Sequence, residues 1–224
     1  MTSAAGDSGP KARRPDRRRA RTRRAILTAA LALFNERGVQ KATIDDIAAA
    51  ADVSPGAVYF HFQSKEGLYL AVVDEALAVN TEAMTAVDRS LPPLERVLAA
   101  GQAYMRFALE HPEYFRMVAL RVLDPQSDPA MADVEARVAS RVEALVSTVE
   151  RDLAEAVVDG TVRAVPTEDA MRFLWGAWNG VTALGFRPDR LRLTADEVQR
   201  ALTLGQSLME SALRVPATES AAGI

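Results

Sequence analysis

The sequence predicts an all-α protein built as a small N-terminal domain and a larger C-terminal one. Three observations predict it. Apolar residues recur at helical spacing through every long segment, and strand-like alternation never lasts more than a few residues. Ser and Thr stand where helices would open, with acidic residues in the turn that follows. Gly and Pro leave helix-length segments between them, and the clearest break is Leu91-Pro92-Pro93, the expected domain boundary.

Composition narrows the classes. About half of the 224 residues are hydrophobic, enough for a proper core in each of two domains. No apolar run approaches about 18 residues, so no membrane-spanning helix is expected. The start is polar and Arg-rich, without the apolar stretch of a secretory leader. There is no cysteine, which removes disulfides and thiolate chemistry and fits a cytoplasmic location. The net charge of −3 hides an asymmetry: residues 1–66 carry 12 Lys/Arg against 7 Asp/Glu, and the remainder carries 15 against 23. A basic head on an acidic body points to a polyanion as the head's partner.

In chain order, residues 1–15 read as a disordered arm, poor in residues to bury. Arg13, Arg14, Arg17, Arg18, Arg19, Arg21, Arg23 and Arg24 form a dense basic run. It is either a solvated tail or a phosphate-neutralising arm, and its continuity with the next helix favours the second. A helix from about Asp16 to Arg37 sets Ile26, Ala30, Leu33 and Phe34 on one face, and Gly38 stops it. Thr43 caps a second helix, with Asp46 as capping-box partner and Ile44, Ile47, Ala48 and Ala51 as apolar face. Asp52 and Val53 break that helix. Ser54 caps a third, with Pro55 at its first position, ending in Tyr59-Phe60-His61-Phe62. Two short helices joined by a tight turn, with small residues where they cross, make a helix-turn-helix. The first domain is thus placed at 16–66.

Ser64 caps a fourth helix, which carries Leu68, Val72, Val73 and Leu77 to about Ala86 and forms a connecting segment over 67–90. The second domain, 91–214, shows only helical periodicity. Helices are expected at Leu94–Glu110 and Glu113–Leu123, then from Pro129 to Val158 along the spine Val134, Val138, Leu145, Val149 and Leu153. Thr167 is expected to cap the next helix and Pro188 to close it. Thr194 and Glu197 form a capping box for the last one, and residues 215–224 read as a frayed tail.

The stretch TIDDIAAAADVSPGAVYFHFQSKEGL, with FNERG before it, resembles the helix-turn-helix signature of the tetracycline-repressor (TetR) family. The matching positions are Thr43, Ile47, Ala48, Ala51, Val53, Ser54, Gly56, Tyr59, His61, Phe62, Lys65, Glu66 and Leu68. The resemblance implies a homodimeric, sequence-specific DNA-binding transcriptional regulator: a repressor released from a near-palindromic operator by a small-molecule effector. It implies no catalytic residue, cofactor or metal. The DNA-binding set it suggests is Arg17, Arg18, Arg21, Arg24, Thr43, Ser54, Pro55, Gly56, Ala57, Tyr59, His61 and Lys65. Thr43, Tyr59, His61 and Lys65 would serve phosphates. Gly56 would let backbone approach the base edges, and Ala57 would meet a thymine methyl. Phe60 and Phe62 are expected to pack the short helix. Since Ser54 to Ala57 include no Arg, Lys, Asn or Gln, selectivity is expected to lean on apolar contacts, DNA shape and the arginine arm.

In the C-terminal domain the family reading offers a pocket for a small, largely apolar effector, drawn from Tyr104, Phe107, His111, Tyr114, Phe115, Met171, Trp175, Trp178 and Asn179. Any single member of such a cluster is more often plain core. Related C-terminal domains carry Trp-His-Gly where Trp178-Asn179-Gly180 stands. Gly176 and Gly180 cost about 1 kcal/mol each relative to Ala inside a helix, which close backbone approach would explain. The last two helices are therefore expected to form a dimer interface through Gly176, Gly180, Leu184, Val198, Leu202 and Met209. An enzyme is disfavoured: there are two histidines, no HExxH spacing and no Gly-rich phosphate loop. An effector-independent architectural DNA binder stays open, and would lack a fillable pocket.

Overall fold

The computed structural model describes residues 14–123 and 132–216. The readings placed on residues 1–13, on the Asp124-Pro125 and Asp128-Pro129 loop and on residues 217–224 lie outside these. Among the described residues there are nine helices and no strand. They fall into two compact units, one up to Tyr69 and one from Leu70 onward.

The first unit contains α1 (Arg14–Arg37), α2 (Ile44–Ala50), α3 (Pro55–Phe62) and the opening of α4 (Lys65–Thr85). Its core is the predicted face of α1, Ile26, Ala30, Leu33 and Phe34, closed by Ile47, Ala48, Val58, Phe62 and Leu68. The Phe34 and Tyr69 rings meet edge to face at 6.0 Å. Gly38 takes φ +82°, a left-handed geometry that ends α1 without the Cβ clash any other residue would bring. The capping box of α2 forms: the Thr43 hydroxyl accepts from the Asp46 N–H at 3.1 Å and donates to the Asp46 carboxylate at 2.7 Å.

The turn between α2 and α3 is a Schellman motif. The Val53 N–H reaches the Ala48 carbonyl at 3.0 Å, the Asp52 N–H reaches the Ala49 carbonyl at 3.2 Å, and Asp52 sits at φ +54°. Asp tolerates this region and β-branched residues do not. Asp52→Val should therefore lower stability by about 1–2 kcal/mol, read as a shift in thermal unfolding. An unchanged melting curve would show that the turn relaxes to another geometry.

The Leu91-Pro92-Pro93 break, expected as the domain boundary, follows α4. That break separates α4 from α5 inside the second unit, because the later turns of α4 bury Leu70, Val72, Val73, Ala76 and Leu77 there. The second unit continues through α5 (Pro93–Glu110), α6 (Pro112–Leu123), α7 (Ala132–Val158), α8 (Thr167–Leu184) and α9 (Ala195–Leu213). Pro112 forces the α5–α6 break, since it has no N–H to continue α5 but fits the first turn of α6. The core runs through Leu94, Val97, Val149, Leu153, Met171 and Leu174, and an aromatic group of Tyr104, Phe107 and Phe115 adjoins it. No described helix is long and apolar enough to cross a membrane.

Two helix-end expectations change. Thr167 is the first residue of α8 and not its cap; Pro166 precedes it with no side-chain cap bond. Glu168 and Asp169 supply the first-turn negative charge instead. Nor does Pro188 close α8. The helix ends at Leu184, the Phe186 N–H turns back to the Ala183 carbonyl, and the Phe186 ring stacks on Phe115 at 6.2 Å. The capping box of α9 forms as read, with the Thr194 N–H on the Glu197 carboxylate at 2.8 Å.

Candidate nucleic-acid interface and effector cavity

Helix α3 is held by two side chains one turn apart, Val58 and Phe62, both buried. This anchoring turns the rest of the helix outward. Ser54, Pro55 and Gly56 are exposed, and Ala57 is half-buried. The Ser54 hydroxyl accepts from the Ala57 N–H at 3.3 Å, satisfying one orphan donor of the first turn. A Cβ at Gly56 would meet nothing nearer than the Ser54 hydroxyl at 3.9 Å, so its backbone faces open space. The N-terminal turn of α3 is thus a smooth, projecting end whose positive helix-dipole end suits an anionic groove.

Phe60 corrects the sequence reading. It does not pack the helix but is 69% exposed, with the Arg19 guanidinium 5.2 Å above its ring. Phe62 is buried as expected, and Arg23 lies 5.4 Å over its ring. Arg19 and Arg23 are one helical turn apart on α1, and the two rings draw their charge beside α3. Among the described residues, Arg17, Arg18, Arg21 and Arg24 are exposed on α1 and lie over no ring of α3. The composition of the basic run does not distinguish its members; the partner rings on α3 do.

Tyr59 is 52% exposed. The His61 ring meets Phe60 edge-on at 5.4 Å. Burial, and then the charges of Arg19 and Arg23, hold its imidazole below the usual histidine range, which favours the neutral form. Thr43 is exposed, but its hydroxyl is engaged with Asp46. The hydrogen bond from that hydroxyl is the main reason the Asp46 carboxyl lies below its ordinary range. Lys65 acts as a strap. Its ammonium donates to the Gln40 carbonyl at 3.0 Å and to the Ala42 carbonyl at 3.3 Å, joining the start of α4 to the loop before α2.

The second unit holds a mostly apolar cavity. It encloses about 60 Å³ and reaches about 580 Å³ when its open mouth is included. Of the expected effector residues, Tyr104, Met171, Trp175 and Trp178 line it. Phe107, His111, Tyr114 and Phe115 form the aromatic cluster alongside and are not in its wall. Asn179 stands behind the wall: its carbonyl oxygen accepts from the Tyr104 hydroxyl at 3.0 Å, and its amide donates to the Trp175 carbonyl at 2.8 Å. Burial pushes the Tyr104 phenol well up, so it stays a neutral donor. Gly101 shapes the wall, since a Cβ there would come within 2.8 Å of the Trp178 ring. Asn80, Gly101 and Val146 were not foreseen. Helical spacing marks apolar faces but not which of them leaves a gap.

The expected dimer residues divide. Val198 and Leu202 are buried within their own chain and serve its core, which removes them from any outer surface. Met209 is half-buried against the same core. Gly176 and Gly180 are exposed, with nothing of their own chain within 4 Å of a built Cβ, and Leu184 is 36% exposed. Phe173 on α8 and Leu204 and Leu208 on α9, at 69%, 60% and 62% exposure, are the large apolar side chains on the outer faces.

Comparison with known families decides the assignment. The model for "Bacterial regulatory proteins, tetR family" matches residues 26–72, and the model for "Tetracyclin repressor-like, C-terminal domain" matches residues 97–205. The chain belongs to the TetR family. The A-factor receptor protein of Streptomyces griseus is 35% identical over 94 residues, 42% of this chain and 32% of that one. The HTH-type transcriptional repressor BepR of Brucella suis is 42% identical over 72 residues, 32% of this chain and 34% of that one. The matched part thus spans about a third of each relative's length. A solved structure described as the molecular basis for control of antibiotic production by bacterial hormones has a TM-score of 0.66 at 28% identity, covering 87% of this chain and 98% of that one.

Proposed function

We propose that this TetR-family chain is a homodimeric, sequence-specific transcriptional repressor whose hold on DNA is released by a small, largely apolar effector in the cavity of the second unit. The observation that carries the reading is α3, a short helix pinned by Val58 and Phe62 with a free N-terminal turn and Arg19, Tyr59 and His61 at its side. The relatives named as a repressor and as a receptor support it. Two copies joined through the outer faces of α8 and α9 would set two recognition helices in successive major grooves, about 34–36 Å apart. The cavity argues against an effector-independent binder. Helix α4 starts in the first unit and lines the cavity with Leu77 further along, so a ligand that prefers one position of this helix would shift the balance between DNA-competent and released states.

Selection of bound fragments from the source genome tests the regulator reading, and failure to enrich any specific site would refute it. On an enriched fragment, Tyr59→Ala should weaken binding roughly tenfold, and equally on non-specific DNA, because phosphate contacts carry no sequence information. Arg19→Ala should lower the slope of log affinity against log salt by about 1. A Tyr59 effect confined to the specific fragment would assign that residue to base reading instead.

A further inference from the structure

We propose that the cavity selects an uncharged, mainly apolar molecule bearing one hydrogen-bond-donating group, and that Asn80 on α4 reads that group. The proposal rests on the effector reading above and names the class of ligand the site takes.

Asn80 lines the cavity and is only 3% exposed, and its carboxamide oxygen is buried without a hydrogen-bond partner. An unpaired buried amide oxygen is costly, so such groups are retained where something meets them. The other oxygen-bearing side chain in the wall is Tyr104, whose hydroxyl already donates to Asn179. Among the described residues no charged side chain lines the cavity. An anion would therefore lose its hydration with no counter-charge to replace it. Arg89 and Arg151 line an adjoining cleft, where Arg89 is paired with the buried Asp152. One acceptor set in an apolar wall fits a hydrocarbon body with a single hydroxyl or amide N–H. Met84 and Met171 supply adaptable walls for that body, and Gly101 keeps the Trp178 ring seated.

Trp175 and Trp178 are the only tryptophans of the chain and both line the cavity, so intrinsic emission reports its occupancy directly. The test titrates the full-length protein with three matched, non-absorbing probes: 4-tert-butylcyclohexanol, its methyl ether and 4-tert-butylcyclohexanecarboxylate. The alcohol should bind roughly tenfold more tightly than the ether, the value of one hydrogen bond to an otherwise unpaired group, and the carboxylate more weakly than either. Asn80→Leu should erase the preference for alcohol over ether while still binding both. Equal binding of alcohol and ether by the unaltered protein would overturn the role of Asn80, showing that water satisfies the amide, and would leave the effector cavity standing. Preference for the carboxylate would overturn the uncharged class. Retention of the alcohol preference in Asn80→Leu would assign the reading to another group. Failure of all three probes to change the emission would overturn this proposal and the effector reading together. The comparison in the unaltered protein does not depend on how the variant folds.

Discussion

The double variant Leu204→Glu/Leu208→Glu should be monomeric and should lose tight binding to a two-half-site operator. Both leucines lie one turn apart on α9 and project from their own chain, at 60% and 62% exposure. Gly205 between them has nothing within 4 Å of a built Cβ, as do Gly176 and Gly180 on α8. The two helices thus present leucine and phenylalanine side chains around bare backbone, a surface that a two-fold-related copy would cover closely. Each leucine buried there contributes about 1.5–3 kcal/mol, and a dimer would bury four. Glutamates at the same points forfeit that burial and set four carboxylates near one axis, so the dimer dissociation constant should rise by at least about four decades. Light scattering at micromolar concentration reads the mass, and circular dichroism checks that the helices persist. The fold should survive because neither leucine serves the core. A variant that stays dimeric would place the interface elsewhere. Leu202→Glu could not make this distinction, since Leu202 is buried inside the protomer and its loss would damage folding first.

This pairing also shows where sequence reasoning reaches and where it stops. Helices were legible wherever a cap and an apolar stripe agreed: Thr43 with Asp46, Thr194 with Glu197, and the face Ile26, Ala30, Leu33 and Phe34 all form as read. Local chemistry dictates these features, and local chemistry is what a sequence displays. The Schellman turn at Asp52 was visible only as a break in pattern, because the αL geometry is set by backbone bonds to Ala48 and Ala49. Helix ends failed where a distant contact competes, as at Phe186, whose ring leaves α8 to stack on Phe115.

The candidate sites follow the same division. Ser54, Pro55 and Gly56 project as their helix-turn-helix pattern implies. Phe60 does not pack, because Val58 and Phe62 already occupy the buried side of so short a helix. Its partner Arg19 was hidden among eight arginines that composition treats alike. In α9 periodicity marks Val198, Leu202, Leu204 and Leu208 as apolar, but two faces of that helix carry leucine. Only the packing of α8 and α5 against it shows that the first pair is core and the second pair faces outward. Asn80 carried no signal at all, since a polar residue in a helix is by default solvated.

Asp152→Ala should destabilise the second unit by about 3 kcal/mol, the low end for removing one member of a buried ion pair. Asp152 lies on α7 and its side chain is 2% exposed. Arg89, in the turn before α5, donates to both of its oxygens at 2.7 and 2.6 Å, and the Arg96 guanidinium of α5 lies 3.1 Å away. Two cations, one in the α4–α5 turn and one on α5, thus converge on one carboxylate, which ties that turn to α7. Alanine leaves the Arg96 side chain, only 11% exposed, with Glu155 as its remaining partner, and Glu155 is itself 56% exposed. Arg89 loses less, because half of its side chain already meets water. The asymmetry sets the expected order of effects: Asp152→Ala largest, Arg96→Ala next, and Arg89→Ala smallest, because the buried Arg96 still faces the carboxylate. Thermal unfolding of the three variants at one protein concentration measures that order, with a fall of about 6–12 °C for Asp152→Ala in a chain of this size. If Arg89→Ala cost as much as Asp152→Ala, the half-exposed arginine would be the element that holds the turn, and burial of the carboxylate would not be what makes the cluster sensitive.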